Sequence, residues 1–288
     1  MNEVKKTNTL QEWRESAPYW EKYGDTIRTM FAPVTAALIE EAGISEAQSV
    51  LDVAGGPGEP SLTIAEIVGP TGSVMCTDAV KVMVTAAQSV AHHRGFKNLR
   101  FRQCTADSLP FPDNSFDTVV CRLGAMFFSD PFAALREMLR VVRSKGAVSL
   151  VVWDKSELNP FSYVVTDVMS RYIEAAPPDP DAPDAFRFAE PDKLASILRD
   201  VGATEVVERS LAFRIEAPIS RDEFWDMRCR ISGSLRNKLA AVSPDLAMLV
   251  QREVKEAAKE FFPDEQMSFP AWMIIVSGRK RLEQLVRA

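Results

Sequence analysis

Residues 50–60 run Val50-Leu51-Asp52-Val53-Ala54-Gly55-Gly56-Pro57-Gly58-Glu59-Pro60, an apolar β-branched run that ends in a carboxylate and breaks into a glycine-rich loop. Glycines let a backbone approach a ligand closely, and a helix N-terminus beyond such a loop favours negative charge. Pro60 is suited to opening that helix, because an N–H at the first turn has no partner in any case. A strand–loop–helix of this kind is how an open α/β sheet holds a nucleotide-like ligand. Three further segments have the residue types to complete such a site. Asp78 closes the run Val74-Met75-Cys76-Thr77-Asp78, 20 residues after Gly58, where a carboxylate can accept both hydroxyls of a ribose. Ala106-Asp107-Ser108-Leu109-Pro110 follows a third strand-like run and offers a carboxylate and backbone groups to an adenine edge. Cys121-Arg122-Leu123-Gly124 ends a fourth. All four lie at carboxyl ends of expected strands, where open α/β sheets bind their ligands.

The elements that must position these residues are legible as alternating patterns. Strands are expected at 49–53, 74–77, 99–104, 116–121 and 147–153, with helical patterns between them. The clearest helix is 131–142, started by Ser129-Asp130-Pro131, apolar at Phe132, Leu135, Leu139 and Val142, and stopped at Gly146. Five strand–helix units in succession predict a doubly wound, mostly parallel sheet. Beyond Trp153, the stretch 176–184 (Ala-Pro-Pro-Asp-Pro-Asp-Ala-Pro-Asp) reads as an exposed lid or linker. A helix at 191–201 and a strand at 206–215 follow. Ser220-Arg221-Asp222-Glu223 has the form of a capping box opening a helical region to about Phe261, and 271–276 is a last strand that Pro270 marks as beginning there or lying at an edge. Near the N-terminus Trp13, Ala17 and Trp20 share a helical face, which Pro18 interrupts or restarts.

The organisation expected is an N-terminal helical lid (1–45), a ligand-binding core (46–155), a lid insertion (156–190), segments completing the sheet (191–218 and 264–288) and a helical cap insertion (219–263). Composition bounds the partners. A net charge of −6 over 288 residues argues against a nucleic-acid backbone, which clustered Lys and Arg would be needed to bind. The longest apolar runs are a few residues, far short of the about 20 a membrane span needs. The polar segment 1–9 is no secretory signal. Four widely spaced cysteines without a CxxC and two adjacent histidines, His92 and His93, make a structural metal site improbable and a cytoplasmic location the default. A homodimer is compatible with all of this.

These residues resemble the class I S-adenosylmethionine-dependent methyltransferases, specifically the small-molecule branch that includes the ubiquinone and menaquinone biosynthesis enzymes. The likeness rests on 50–58, Asp78, the run 106–117 and the helix end 140–146. It implies a seven-stranded Rossmann-like sheet and S-adenosyl-L-methionine as cofactor. It also implies methyl transfer to a small, largely apolar molecule by in-line displacement. By that resemblance Asp52 and the backbone of Ala54, Gly55, Gly56 and Gly58 form the cofactor loop, facing its amino-acid part. Asp78 holds the ribose, Ala79 and Met83 flank the adenine, and Asp107, with Ala106 and Ser108, meets the adenine amino group. Arg122 and Leu123 line the sulfonium side, and Tyr23 (or Tyr19) closes over the cofactor. Two positions depart from the pattern. The first loop glycine is Ala54, tolerable if it keeps a negative φ, and the turn before strand five is Ser144-Lys145-Gly146.

Each assignment has a plainer reading. Asp78 serves equally as a helix cap, Asp107 as a turn cap and Arg122 as a structural partner; Asp154 is either a general base or a turn residue. His92 and His93 suit a solvated surface, and most aromatics suit the core, with some left to line a substrate pocket. No residue is assigned to catalysis. Two other functions fit the same sheet: a cofactor-binding module without catalysis, and a nicotinamide-dependent oxidoreductase. The second wants a G-x-G-x-x-G spacing that Gly55-Gly56-Pro57-Gly58 does not supply.

Overall fold

A computed structural model describes residues 2–173 and 179–282, and of 2–9 the backbone alone. Residues 176–178 of the expected lid, and 283–288 of the last expected segment, lie outside the described residues. In chain order the elements are α1 Asn2–Lys22, α2 Gly24–Met30, α3 Ala32–Ala42, β1 Ser49–Val53, α4 Ser61–Val68, β2 Ser73–Asp78, α5 Lys81–His93, β3 Leu99–Gln103, β4 Phe116–Arg122, α6 Pro131–Val141, β5 Val142–Trp153, α7 Pro160–Ser170, α8 Lys193–Asp200, β6 Ala203–Ala217, α9 Arg221–Ile231, α10 Gly233–Ala240, α11 Pro244–Ala257 and β7 Met267–Lys280. The seven strands form one sheet in the order β3-β2-β1-β4-β5-β7-β6. β1 pairs in parallel with β2 and β4, β2 with β3, and β4 with β5, while β7 runs antiparallel to β5. The expected fold class is therefore observed, a mostly parallel doubly wound sheet with flanking helices.

The chain divides into two compact units. The first comprises Met1–Pro33, Asp154–Ala182 and Ala212–Trp272, and the second Val34–Trp153, Pro183–Leu211 and Met273–Ala288. In the second, the strands β1 and β4 are buried almost throughout, as parallel strands covered on both faces must be. Strand order reverses between β1 and β4, the kind of switch point outside which open α/β sheets bind their ligands. The connection from β3 to β4 contains no helix; its run Leu109-Pro110-Phe111-Pro112-Asp113-Asn114 suits turns instead.

The first unit is helical. Pro18 neither ends nor restarts α1, which runs through it. Trp13 and Trp20 pack across that position with ring centroids 5.8 Å apart, and Trp20 Nε1 donates to the Ile231 carbonyl at 3.2 Å, so packing outweighs the lost backbone bond. The capping box opens α9 as expected, with the Ser220 side chain accepting from Glu223 N and the Glu223 carboxylate accepting from Ser220 N. Phe161, Phe224 and Phe269 meet at centroid distances of 5.1–5.7 Å and form the aromatic core of this unit.

Three boundaries differ from expectation. Helix α6 ends at Val141 rather than near Gly146, because Val142 pairs with Phe116 and begins β5. The turn there places Lys145 at φ +65°, and Gly146 is tied to glycine because a Cβ would lie 2.5 Å from the Asp117 carbonyl oxygen. Pro270 lies inside β7 rather than before it, ahead of the ladder with β5 that starts at Met273. The residues expected to form the N-terminal part of the 191–201 helix lie outside α8, which is entered through Asp192 at φ +66°.

Candidate functional site

The loop after β1 is built around Asp52. Its carboxyl is buried at the end of the strand, where Ser61 Oγ donates to Oδ2 at 2.6 Å and Oδ1 has no hydrogen-bond partner. Burial pushes this carboxyl up to about 7, against the Ser61 hydrogen bond and the Arg122 charge, which favour ionisation. Above it, Gly55 donates to the Thr77 carbonyl at 2.9 Å, and Thr77 Oγ1 donates to the Asp52 carbonyl at 3.0 Å, so β1 and β2 deliver their ends as one piece. Only glycine fits at 55: a Cβ would lie 2.6 Å from Asp52 Oδ2 and 2.7 Å from Cys76 Sγ. Gly56 follows at φ +54° with open space where its Cβ would be, and Gly58 has φ +125°.

Asp78 is joined to this loop. Its Oδ2 accepts from Gly56 N at 3.1 Å and its Oδ1 from Val80 N at 2.8 Å. The second bond is local but does not make Asp78 the helix cap of the plainer reading, because the N-cap of α5 is Val80; the first is not local. Burial raises this carboxyl to about 6, while backbone N–H groups of Val80, Gly56 and Ala79 hold it down. Ala79 follows with its carbonyl accepting from Gln103 Nε2, and Met83 is buried on the inner face of α5.

At the end of β4 the Arg122 guanidinium is enclosed. It donates to Thr35 Oγ1 at 2.7 Å and to the Glu59 carbonyl at 3.1 Å, which ties α3 and the Asp52 loop to this strand. Burial lowers its affinity for its proton, opposed by Glu59 and Asp52. These bonds brace the strand end, but to a hydroxyl and a carbonyl rather than in the ion pair of the plainer reading. Leu123 stands at φ +59° and donates to the Val151 carbonyl, while Ala54 stands at φ +59°. The expectation of a negative φ at Ala54 is corrected: the residue takes the left-handed conformation that a glycine would take, held there by the close packing of the Gly124 backbone against its Cβ.

Ala106, Asp107 and Ser108 lie in the turn after β3, with Ser108 N donating to the Thr105 carbonyl. The sequence reading missed what holds this turn. Glu137 on α6 accepts from Leu109 N at 2.9 Å, and Arg140 donates to Glu137, to Asp113 Oδ1 and to the carbonyls of Leu109 and Phe111. Glu137 is held below the usual carboxylate range chiefly by Arg140. The signal available was a Glu–Arg pair one turn apart on α6.

Tyr23 belongs to the helical unit, where its hydroxyl donates to Asp226 Oδ2 at 2.8 Å. Asp154 accepts from Lys155 N, the turn reading of that residue. His92 and His93 are exposed at the end of α5. All four cysteines are free, with Cys76 and Cys121 buried. Among the described residues no group of His, Cys, Asp and Glu is arranged to hold a metal, and no helix is long and apolar enough to cross a membrane.

Comparison with known proteins matches residues 35–173 to the ubiE/COQ5 methyltransferase family. An uncharacterized methyltransferase, YcgJ of Bacillus subtilis, is 42% identical over 114 residues, 40% of this chain and 44% of that protein. The ubiquinone/menaquinone biosynthesis C-methyltransferase UbiE of Hahella chejuensis is 37% identical over 133 residues, 46% of this chain and 53% of that protein. The matches thus span about half the length of these relatives. The crystal structure of the Bacillus YcgJ protein superposes over 86% of this chain and 97% of its own, with a TM-score of 0.55 and 25% identity. Likeness in sequence is densest over the half of the chain that carries the loop, Asp78 and Arg122.

Proposed function

We propose that this chain, whose residues 35–173 match the ubiE/COQ5 methyltransferase family, binds S-adenosyl-L-methionine and transfers its methyl group to a small, largely apolar molecule. The observation that carries this reading is the Gly56–Asp78 hydrogen bond, which joins the glycine loop to the carboxylate of the second strand. The residues fit that cofactor: Gly56 has open space where a Cβ would stand, and the Asp78 carboxylate lies beside the loop as an acceptor for a ribose hydroxyl. When bound, the cofactor supplies a methyl group already activated on a sulfonium.

The chain's own task is then positioning and exclusion of water. In this reading Asp78 fixes the ribose, and the backbone of Ala54, Gly55 and Gly56 accommodates the amino-acid end. Asp107, on the turn braced by Glu137 and Arg140, orients the adenine. Arg122 sets the height of the loop through the Glu59 carbonyl. Neither histidine is placed at the loop, so an acceptor that must lose a proton relies on another group or on water.

Calorimetry with S-adenosylhomocysteine tests the cradle. Asp78→Ala is expected to weaken binding by at least ~100-fold, the scale of losing charge-assisted bonds to two hydroxyls. Wild-type affinity should also fall below about pH 6, where the Asp78 carboxyl takes up its proton. Unchanged affinity in the variant sinks the ribose assignment. Incubation with methyl-labelled cofactor and a small-molecule extract tests the transfer itself; binding without label transfer to any component would leave a cofactor-binding module.

A further inference from the structure

A hollow of about 1040 Å³ opens where the end of α6, the turn between α8 and β6, and the end of β7 meet. Arg279 of β7 pairs with Ala147 near the amino end of β5, while Met273 pairs with Trp153 at its carboxyl end. The hollow therefore faces the amino ends of the parallel strands, away from the loop after β1. Its lining holds four cations, Arg136, Arg140, Lys280 and Arg281, and among the described residues no carboxylate. In a chain of net charge −6 that is a local reversal. Two of the four are committed. Arg140 braces the 109–113 turn against Glu137 and Asp113, and Lys280 Nζ donates to Asn114 Oδ1 and to the carbonyls of Arg140 and Val142. The guanidinium groups of Arg136 and Arg281 form no hydrogen bond or salt bridge among the described residues, and both residues are exposed. Arg136 acts on Glu137 through its charge alone, since the Glu137 oxygens accept from Arg140 and from Leu109 N. The rest of the lining is chiefly aliphatic: Leu139, Val201 and Leu282, the last of them 55% exposed.

A solvated arginine needs no partner, and a single exposed leucine needs no explanation. Here they share one hollow, so like charges repel while aliphatic surface stays wet. A ligand relieves both if it brings negative charge and an aliphatic chain. We infer that this hollow binds a phosphate-headed aliphatic amphiphile as a single molecule, its phosphate held by Arg136 and Arg281 and its chain laid against Leu139, Val201 and Leu282. A phosphate monoester carries close to two negative charges at neutral pH, which match two uncommitted guanidinium groups. Arginine forks also take phosphate oxygens in pairs. Among the described residues no aromatic side chain lines the hollow, so a nucleobase would find no ring to stack on. Its volume suits a small ligand, whose sites run to roughly 1,000 Å³. The site is separate from the cofactor loop and does not rest on methyl transfer.

Calorimetry on the full chain at pH 7.5 compares octyl phosphate, below its micelle concentration, with 1-octanol and with inorganic phosphate. Octyl phosphate should bind wild type at least ~10-fold tighter than either, and saturating S-adenosylhomocysteine should leave that affinity unchanged. The double variant Arg136→Met/Arg281→Met should lose the preference over octanol and keep its affinity for S-adenosylhomocysteine. Arg136→Lys/Arg281→Lys, which keeps the charge without the forks, should retain part of the preference. Leu282→Asn should weaken octyl phosphate by at least ~3-fold and leave inorganic phosphate as it was. All three positions are exposed, so these variants should fold as wild type does. No binding of octyl phosphate, or equal affinity for it and either comparison compound, overturns the proposal. So does a preference that survives the double methionine variant, or displacement of octyl phosphate by S-adenosylhomocysteine. Binding of vesicles containing phosphatidic acid without binding of monomeric octyl phosphate also overturns it, because the face would then be a membrane contact. Failure of methyl transfer leaves every one of these outcomes measurable, so the two readings fail separately.

Discussion

The Cβ of Ala54 occupies the space that a side chain on Gly124 would need, for a Cβ built on Gly124 would lie 2.6 Å from it and 2.9 Å from Cys121 Sγ. These residues sit at the ends of β1 and β4, the two strands that flank the switch point of the sheet. Their contact explains how a non-glycine residue is held at φ +59° in the loop: the side chain at 54 and the bare backbone at 124 are complementary.

Gly124→Ala should therefore destabilise the chain by ~1–3 kcal/mol, the cost of overpacking a filled site. Ala54→Gly alone should stay within about 1 kcal/mol of wild type, because relief of the left-handed strain and the added chain entropy oppose each other. The double variant should recover part of the Gly124→Ala loss, with a coupling of at least ~0.5 kcal/mol in urea unfolding. Strict additivity would mean that the two positions are not in contact.

Arg140 is expected to act at a distance from any ligand. It braces the turn after β3 through Glu137, Asp113 and the carbonyls of Leu109 and Phe111. Arg140→Met removes these donors together. Hydrogen bonds to charged groups are worth ~1.5–3 kcal/mol, but this side chain is partly exposed, so a loss of about 1–2 kcal/mol is the expectation. Amide exchange over 105–113 should accelerate, and S-adenosylhomocysteine affinity should fall by ~3–10-fold as Asp107 loses its support. Unaltered exchange in that segment would remove the bracing role.

The ends of β1 and β2 and the start of α9 were legible because each is marked by local chemistry: apolar runs reaching Asp52 and Asp78, and a capping box at Ser220. The conformation of Ala54 was not, since the loop's own residues permit either sign of φ and the neighbour packed against it is Gly124, in the segment after β4. Pro18 and Pro270 misled for the same reason, because tertiary packing carries α1 and β7 through residues that locally disfavour them. Glu137 and Arg140 looked like an ordinary helix-surface pair, and only the fold brings the 109–113 turn beneath them.

Asp52 makes stability depend on pH in a direction opposite to that of an ion-paired carboxylate. Its folded value, about 7, lies above the ordinary carboxylate value near 4, and burial is the largest cause. Between those two values the folded chain holds a proton that the unfolded chain has released, so this group's contribution to stability falls as pH rises through the window and is least favourable above about 7. Asp52→Asn carries no charge and keeps an oxygen for the Ser61 hydroxyl. It also sets an amide N–H₂ near a position without a partner, a pH-independent cost of ~1–3 kcal/mol. Urea unfolding at pH 5, 6, 7 and 8 separates the two effects. The variant should be weaker than wild type at pH 5 and gain on it steadily up to pH 7, with the difference flat thereafter. A difference that does not change with pH would place the Asp52 carboxyl in its ordinary range, and would mean that the loop rests on an ionised group rather than a protonated one.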